Sequence, residues 1–600
     1  MTLAEELARK QRSISVAEFF EKNKHLLGFD SPTRGIITTI KEAVDNALDA
    51  CEEASVLPDI LIRVRKVSDE QFRITVEDNG PGIVPEQIPY VFGKLLYGSR
   101  FHQIRQSRGQ QGIGISAAVL YAQLTSGMPA VVVSRTGERE KAHRFELKIL
   151  IEKNEPDIIN HEEIDWYNTH GTSVEIEFRS TLAAKKKLID YLTYTSIVNP
   201  HANIRVEIDN EEIVFKRVVH EPIACPRPIQ PHPHGIELGM LTRMAAASPD
   251  RLEDFLTGGF SRVGKKSAGE ICAAAEVSPK AVVKNFKPEE LKKLLAGMQA
   301  VRIPPPPTTV CLSPIGEDLI RKGLDEKFSL DFVRARTRPS GVYSGHPFVV
   351  EAAVGYGAKL PTDQKALILR FANRVPLMYQ QGACAITNAI AGVNWKQYGV
   401  GQETLPVGPM LVLVHIASTN VPFTSESKDA VAAIPDIEKE IDLVLKELGR
   451  ELKQYLNQRD RKKDQDDRNR AICSIIPEIA HKVSEIVEKP VVDTSAIEGK
   501  IMHRLIARKW TANGVVQITL RNHTAKTLTL SLYNVSHDKG EKAQPAPAFT
   551  DQIDDVFTKI WKVDLPPGEG WGTSYPGRGG GTLEVQGVEE SLKVVVDSDV

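Results

Sequence analysis

Six hundred residues are too many for one hydrophobic core, so roughly three to five domains are expected. With 41% hydrophobic residues, 26% charged residues and a formal net charge of −2, the composition is that of an ordinary soluble globular protein. It excludes a uniformly basic nucleic-acid coat, though not local basic patches. Cys51, Cys225, Cys272, Cys311, Cys384 and Cys473 form no CxxC pair, which argues against a disulfide framework or a zinc site. No signal-like apolar core opens the chain, and no apolar run nears the ~20 residues of a membrane span, so a cytoplasmic location is expected.

In chain order, a helix is expected over about residues 33 to 54. A strand follows at QFRITVED, where Phe72, Ile74 and Val76 alternate with polar residues. IRVEIDNEEIVF reads as a hairpin turning at Asp209-Asn210. Two Pro-rich stretches, residues 221–235 and 303–309, read as extended linkers and bracket about 70 helical residues with a Gly-rich turn at TGGFSRVGKKSAG. HPFVVEAAVGY, ALILRFANRVPL and MLVLVHIAS read as strands. The short helix ACAITNAIAG lies between the last two, which suggests a crossover onto one sheet. Ile437, Ile441, Val444, Leu448, Leu452 and Tyr455 predict a long helix over 435–457. The charge run RDRKKDQDDRNR then reads as a solvated helix face or loop. VVQITL and LTLSLY alternate in the last hundred residues and point to a small β-sandwich.

Three elements carry chemistry. In KEAVDNALDACEEA, Glu42, Asn46 and Asp49 fall on one helical face, with Ile36, Ile40, Val44, Ala47 and Cys51 broadly opposite. In EDNGPGI a strand ends at Asp78, and Gly80 and Gly82 let a flat ligand approach the backbone. In SRGQQGIGISAAVLYAQL, Gly109, Gly112 and Gly114 enter a helix whose N-terminus offers N–H groups to an anion. Taken alone, the first reads rather as an amphipathic surface helix and the second as a plain turn, whereas the glycine loop reads somewhat more as an anion site than as an ordinary helix start. The loop is neither a Walker sequence nor a dinucleotide fingerprint.

Together, and with HGTSVEIEF as a fourth piece, their order resembles the GHKL ATPase family. The resemblance implies a Bergerat-type site. Glu42 is then the general base, and Asn46 the ligand of a Mg²⁺ ion carried on ATP. Asp49 supports the site, or the adenine through water. Asp78 and Thr172 lie at the adenine, beside Gly80 and Gly82. The phosphates are held by Gly109, Gln110, Gln111, Gly112, Ile113, Gly114, Ile115 and Ser116. GKLLYGSRF, with Gly98, Ser99 and Arg100, belongs to the lid. Lys428, in the downstream TNVPFTSESKDAVA loop, is the lysine that related clamps send back to the γ-phosphate.

Longer stretches narrow the resemblance. AEFFEKNKHLLGFDSPTRGIITTIKEAVDNALDACEEA, FGKLLYGSRFHQIRQSRGQQGIGISAAVLYAQLTSG, RFANRVPLMYQQGACAI and FTSESKDAVA resemble the B subunits of archaeal type IIB topoisomerases over about residues 15 to 470. Asp45-Asn46-Ala47 departs from the more acidic core expected there. The implied fold is multidomain α+β. It comprises a strap and ATPase α/β sandwich (1–228), a helix-two-turns-helix domain (229–306), a transducer with a long helix (307–470), a helical linker (471–500) and an immunoglobulin-like β domain (501–600). The implied function is ATP-driven dimerisation that gates duplex passage through a break made by an A subunit, in a heterotetramer of two A and two B chains at the nucleoid. No strand-cutting tyrosine is recognisable. Arg262, Lys265 and Lys266, with KNFKPEELKK, are candidate contacts for double-stranded DNA, each equally a solvated surface residue. A mismatch-repair-like ATPase and a scaffold that binds ATP without turnover are the alternatives.

Overall fold

Several strands of the first half, Gln71–Asp78, Ala130–Arg135 and Asn203–Ile208 among them, alternate buried with more accessible side chains, and that alternation requires a covering layer on one side only. The computed structural model supplies it. The structure describes the chain except residues 1–5, 8–10, 12, 101–102, 110–111, 181–183, 210, 358, 426, 541 and 600, and the side chains of residues 496 and 597–599. It falls into two compact units, Met1–Gln454 and Tyr455–Val600.

The first unit opens with β1 (Asp59–Lys66), β2 (Gln71–Asp78), β3 (Ala130–Arg135), β4 (Ala142–Leu150), β5 (Glu155–Ile164), β6 (Gly171–Arg179), β7 (Asn203–Ile208) and β8 (Glu211–Phe215). They form one sheet in the order β5-β4-β3-β6-β2-β1-β7-β8, antiparallel except for β1 beside β7. One face packs against the helices Pro32–Glu53, Gly114–Ser126 and Lys185–Val198, so Ile40, Val44 and Leu48 meet Phe72, Ile74 and Phe178 in one core. The other face carries cross-strand ion pairs such as Arg63–Glu207 (3.1 Å) and Arg73–Glu177 (3.0 Å). The acidic helix begins at a Ser31 cap with Pro32 at its first position, an arrangement that satisfies one free N–H and wastes none.

Residues 236–303 build a separate small core from the helices Leu238–Ala247, Leu252–Gly259, Lys265–Ala274 and Pro288–Ala300. Next come β9 (Phe332–Thr337), β10 (Gly341–Tyr343), β11 (His346–Tyr356), β12 (Leu367–Ala372), β13 (Val375–Pro376), a two-stranded ribbon of β14 (Gly401–Gln402) and β15 (Pro406–Val407), and β16 (Met410–Ser418). Their main sheet runs β10-β11-β16-β12-β13, with β9 also on β11. β12 and β16 are parallel and joined through the helix Ala385–Gly392, as the strand–helix–strand reading expects.

The long helix differs from expectation. It runs Pro435–Val487, 53 residues, rather than ending near 457, and the charge run continues it. Nothing in residues 459–470 breaks a helix. Glycine and proline are absent there, and charges of both signs favour a solvated helical surface. Ile437, Ile441, Val444, Leu448 and Leu452 are buried as predicted. In the second unit, the helix Ser495–Ile501 precedes β17 (Leu505–Ala512), β18 (Val515–Asn522), β19 (Leu528–Ser536), β20 (Phe549–Ile553), β21 (Val556–Leu565), β22 (Gly570–Pro576), β23 (Thr582–Gln586) and β24 (Lys593–Asp599). These make two four-stranded sheets, β22-β18-β17-β24 and β20-β21-β19-β23, around one core that includes Ile518, Leu532 and Trp561.

Phe178 is fully buried, with its ring 5.8 Å from that of Tyr121 beneath the Gly114–Ser126 helix. Phe178→Ala is expected to destabilise the first unit by about 3–5 kcal/mol. A fall in the denaturant midpoint of its unfolding transition checks this.

Candidate functional site

Between the acidic helix, β2, β6 and the glycine loop lies a cavity of about 630 Å³, within the ~300–1,000 Å³ range of small-molecule sites. Glu42 and Asn46 line it, one helical turn apart. Asp78 and Thr172 line it from directly opposed positions of β2 and β6. Gly82, Gly98, Ser99, Arg100, Gly109, Gly112, Ile113, Gly114, Ile115 and Lys428 complete that set.

Asp78 sits at the strand end, its Oδ1 accepting the Gly80 N–H at 2.8 Å. Burial pushes its carboxyl up to about 7, against the pull of the Gly80 and Thr172 backbone N–H groups. Its oxygens face the cavity, where they can accept a hydrogen bond from a ligand. Gly171 makes this approach feasible. Its φ is +132°, and a Cβ there would lie 2.1 Å from the Asp78 carbonyl oxygen. At the far end, a Cβ on Gly114 would lie 1.8 Å from Glu42 Oε2, so the glycine loop meets the carboxylate only because a side chain is missing. The helix that starts at Gly114 has no side-chain cap, leaving its first N–H groups for a ligand.

Other predicted residues stand elsewhere. Asp49 does not line the cavity. Two turns beyond Glu42, it is ion-paired with Arg100 and with Arg108 (2.6 Å). Gly80 acts through its N–H on Asp78. Ser116 is buried, its Oγ donating to the Ile113 carbonyl at 2.9 Å. Gln110 and Gln111 lie outside the described residues, as does Phe101 of the lid segment. Arg262, Lys265 and Lys266 are exposed at the turn into the Lys265–Ala274 helix, remote in sequence from the cavity residues. Among the described residues no cluster of three or more His, Cys, Asp or Glu side chains could hold a metal ion unaided.

Lys428 reaches the cavity from the loop after β16. Its Nζ donates to the Arg108 carbonyl oxygen at 3.2 Å. Asp429, in the same loop, pairs with Arg34 of the acidic helix. Arg34 in turn lies 4.5 Å over the Tyr379 ring.

Two family models match the chain: "Histidine kinase-, DNA gyrase B-, and HSP90-like ATPase" over residues 32–180, and "Topoisomerase VI B subunit, transducer" over residues 307–468. The B subunit of the type 2 DNA topoisomerase 6 of Methanococcoides burtonii is 46% identical over 576 residues, covering 94% of this chain and 92% of that protein. Those of Methanosarcina mazei and Archaeoglobus fulgidus are also 46% identical, covering 98% of this chain and 98% of each relative. The chain belongs to the family of type 2 DNA topoisomerase 6 B subunits.

Within that family frame, the cavity is walled by the ATPase match, and Lys428 and Tyr379 enter it from the transducer match. Sequence reasoning missed Lys41, Arg34, Tyr379 and Asp429 as lining residues, and missed the Arg108 clasp altogether. Lys41 was the accessible one, since it directly precedes Glu42 on the polar face. The others depend on which loops meet, and no local spacing encodes that. Lys41 also opposes the burial of Asp45, whose carboxyl is pushed up to about 7.

The raised Asp78 value fixes a sign. The folded group holds its proton from the unfolded value near 4 up to about 7, so its contribution to stability falls as pH rises through that window. Asp78→Asn lacks the penalty. Its stability relative to wild type is expected to improve between pH 4 and 8, by up to about 4 kcal/mol. Thermal unfolding of both proteins across that range checks it.

Proposed function

We propose that the chain is the ATP-binding and ATP-hydrolysing B subunit of a type IIB topoisomerase. In this reading ATP-driven dimerisation gates the passage of one duplex through a break that an A subunit makes. The observation that carries it is the cavity in which a helix carboxylate, a strand-end aspartate, an open helix N-terminus and a lysine from the downstream domain converge. Asp78 accepts the adenine amino group, and Thr172 flanks it. The backbone from Gly109 to Ser116 binds the phosphates with the positive end of the helix. Lys428 meets the γ-phosphate, and Glu42 takes the proton of the attacking water. Asp49 acts at one remove, fixing Arg100 of the lid.

Asn46 is the ligand for a magnesium ion. A single protein ligand fits, since magnesium keeps several waters and shares the phosphates rather than entering an all-protein cage. The ion, when bound, supplies charge neutralisation on the phosphates. Positioning and electrostatics then accomplish most of the hydrolysis.

The segments are assigned as a strap and ATPase domain (1–228), a helix-two-turns-helix domain (229–306), a transducer (307–470), a helical linker (471–500) and an immunoglobulin-like domain (501–600). Since one helix runs through Val487, the transducer and linker share it. Arg262, Lys265 and Lys266 are exposed and suit phosphate contacts to double-stranded DNA. No described helix is long and apolar enough to cross a membrane, which agrees with a cytoplasmic, nucleoid-associated assembly of two A and two B chains.

The long helix also carries a docking face for the A subunit. Ile472, Ile475, Ile479, Val483 and Ile486 recur along it at steps of three and four, each 43% exposed or more. A stripe of that kind is an anchor pattern for a partner. Changing Ile479 and Val483 to Asp is expected to abolish co-purification with the A subunit while leaving nucleotide binding within about twofold of wild type. Retained co-purification would move the interface.

The deciding experiment is relaxation of supercoiled DNA by this chain mixed with an A subunit. Wild type should require ATP and both chains. Glu42→Ala should lose at least about a hundredfold in ATP turnover and should not sustain relaxation. Near-normal turnover in Glu42→Ala would remove the base assignment. Turnover without relaxation would remove the topoisomerase reading and keep the ATP site.

A further inference from the structure

The turn between β12 and β13 consists of Asn373 and Arg374, both at positive φ (48° and 66°). Asn373 Nδ2 donates to the Ser107 carbonyl at 3.0 Å and the Ser418 carbonyl at 2.9 Å, and Oδ1 accepts the Ser418 N–H at 2.8 Å. Ser107 stands two residues before Gly109. Thus one amide joins the approach to the glycine loop with the end of β16, from which the Lys428 loop departs.

Arg374 is buried, and among the described residues it has no carboxylate within ion-pair distance. Its guanidinium donates to the carbonyls of Ser313 (3.3 Å) and Pro314 (3.1 Å), and Nη1 has no partner. The nearest acids that feel its charge are Glu52 and Glu351. Each is met by a histidine: His201 Nε2 lies 3.0 Å from Glu52, and His415 Nδ1 lies 2.8 Å from Glu351. The Arg374 backbone N–H donates to His415 Nε2 at 3.0 Å, so the proton of that ring is on Nδ1. Burial lowers the pKa of both imidazoles, which keeps them neutral.

On the other side of Glu52 stands Arg108, bonded to both its oxygens at 2.6 and 2.8 Å, to Asp49 at 2.6 Å and to Asn199 at 2.6 Å. Glu52 is therefore ion-paired with the buried arginine that precedes Gly109, and it also feels the charge of Arg374 on the transducer turn. Burial alone would raise its carboxyl, but the Arg108 charge together with the hydrogen bonds from His201 and Arg108 holds it far below the usual range.

We infer that the Asn373–Arg374 turn positions the phosphate loop. Asn373 fixes the backbone at Ser107, two residues before Gly109, and Arg374 ties the same turn to the Ser313 and Pro314 carbonyls and, through its backbone N–H, to His415. The transducer sheet then acts on the nucleotide by a second route, independent of the Lys428 side chain. A buried cation without an acid at hydrogen-bond distance is a poor stabiliser compared with an apolar residue of the same size. Its retention at the junction of loop and sheet fits a positional role.

The inference rests on the nucleotide site proposed above, and the test separates the two. Full-length chain, assembled with its A subunit, is assayed for binding of a non-hydrolysable ATP analogue, for kcat and KM of ATP hydrolysis, and for Tm. Asn373→Gly keeps the positive-φ backbone and removes only the amide. Arg374→Met removes the charge and keeps the volume. Each variant is expected to lose about tenfold in kcat with KM within about threefold, and Arg374→Met is expected to keep or raise Tm. Folded variants with kcat within about twofold of wild type overturn the inference, as does a rise in KM alone. If Arg374→Met fails to fold, Asn373→Gly decides. If wild type binds no analogue, the nucleotide site itself fails and this inference with it.

Discussion

Arg108 is a guanidinium taken almost wholly out of water, and the nucleotide cavity depends on how its charge is met. Asp49 and Glu52, three residues apart on the acidic helix, and Asn199 at the end of the Lys185–Val198 helix meet it. Removing one partner of a buried ion pair costs about 3–5 kcal/mol, because the other is left stranded. The clasp therefore fixes the backbone just before Gly109 relative to the helix that carries Glu42 and Asn46. Separate segments bring the two halves of the site, carboxylate and anion loop, and this contact makes them one object. Its carbonyl oxygen also receives Lys428, so the residue that anchors the loop is the one the downstream domain touches.

The layered fold explains why such a clasp is available. A sheet covered by helices on one face leaves an opening where the helices diverge, at the ends of the central strands β2 and β6. Asp78 and Thr172 are opposed there by register, so their side chains share the covered face. Small residues provide the clearance: Gly171 lets β6 approach Asp78, and Gly114 lets the helix start approach Glu42. The core around Ile40, Leu48, Ile74 and Phe178 holds these groups at fixed distances, which phosphoryl transfer requires more than it requires any covalent participant.

Much of this was legible in the sequence, and the limits were physical. Glu42, Asn46, Asp78 and the glycine loop were legible because their order along the chain, taken together, resembles one known arrangement, although each alone reads as ordinary structure. The crossover from β12 to β16 was visible because an apolar strand–helix–strand has few other solutions. Asp49 was placed on the correct face but not at its partner. Helical spacing gives direction, and it does not say that Arg100 and Arg108 will arrive from loops fifty residues on. The long helix was legible only to about 457, because the apolar periodicity ends there and the charge run reads as a solvated helix face or loop; it proves to be the former. The Arg108–Glu52 pair and the Asn373–Ser107 bond join distant segments, and no local pattern could have shown them.

Backbone conformation adds a separate reason to regard the junction as functional. Asn373, Arg374 and Lys428 all have positive φ, a region few non-glycine residues occupy. Asparagine tolerates it well, whereas arginine and lysine do so at a cost of order 1 kcal/mol each. Two of them reach the stretch before Gly109 by hydrogen bond, Asn373 on Ser107 and Lys428 on Arg108, and Arg374 anchors the same turn on the Ser313 and Pro314 carbonyls. The strain thus goes into contact between the transducer sheet and the residues that lead into Gly109. A clamp driven by nucleotide needs such a contact, because affinity for ATP moves a domain only if the loop and the domain are held in register.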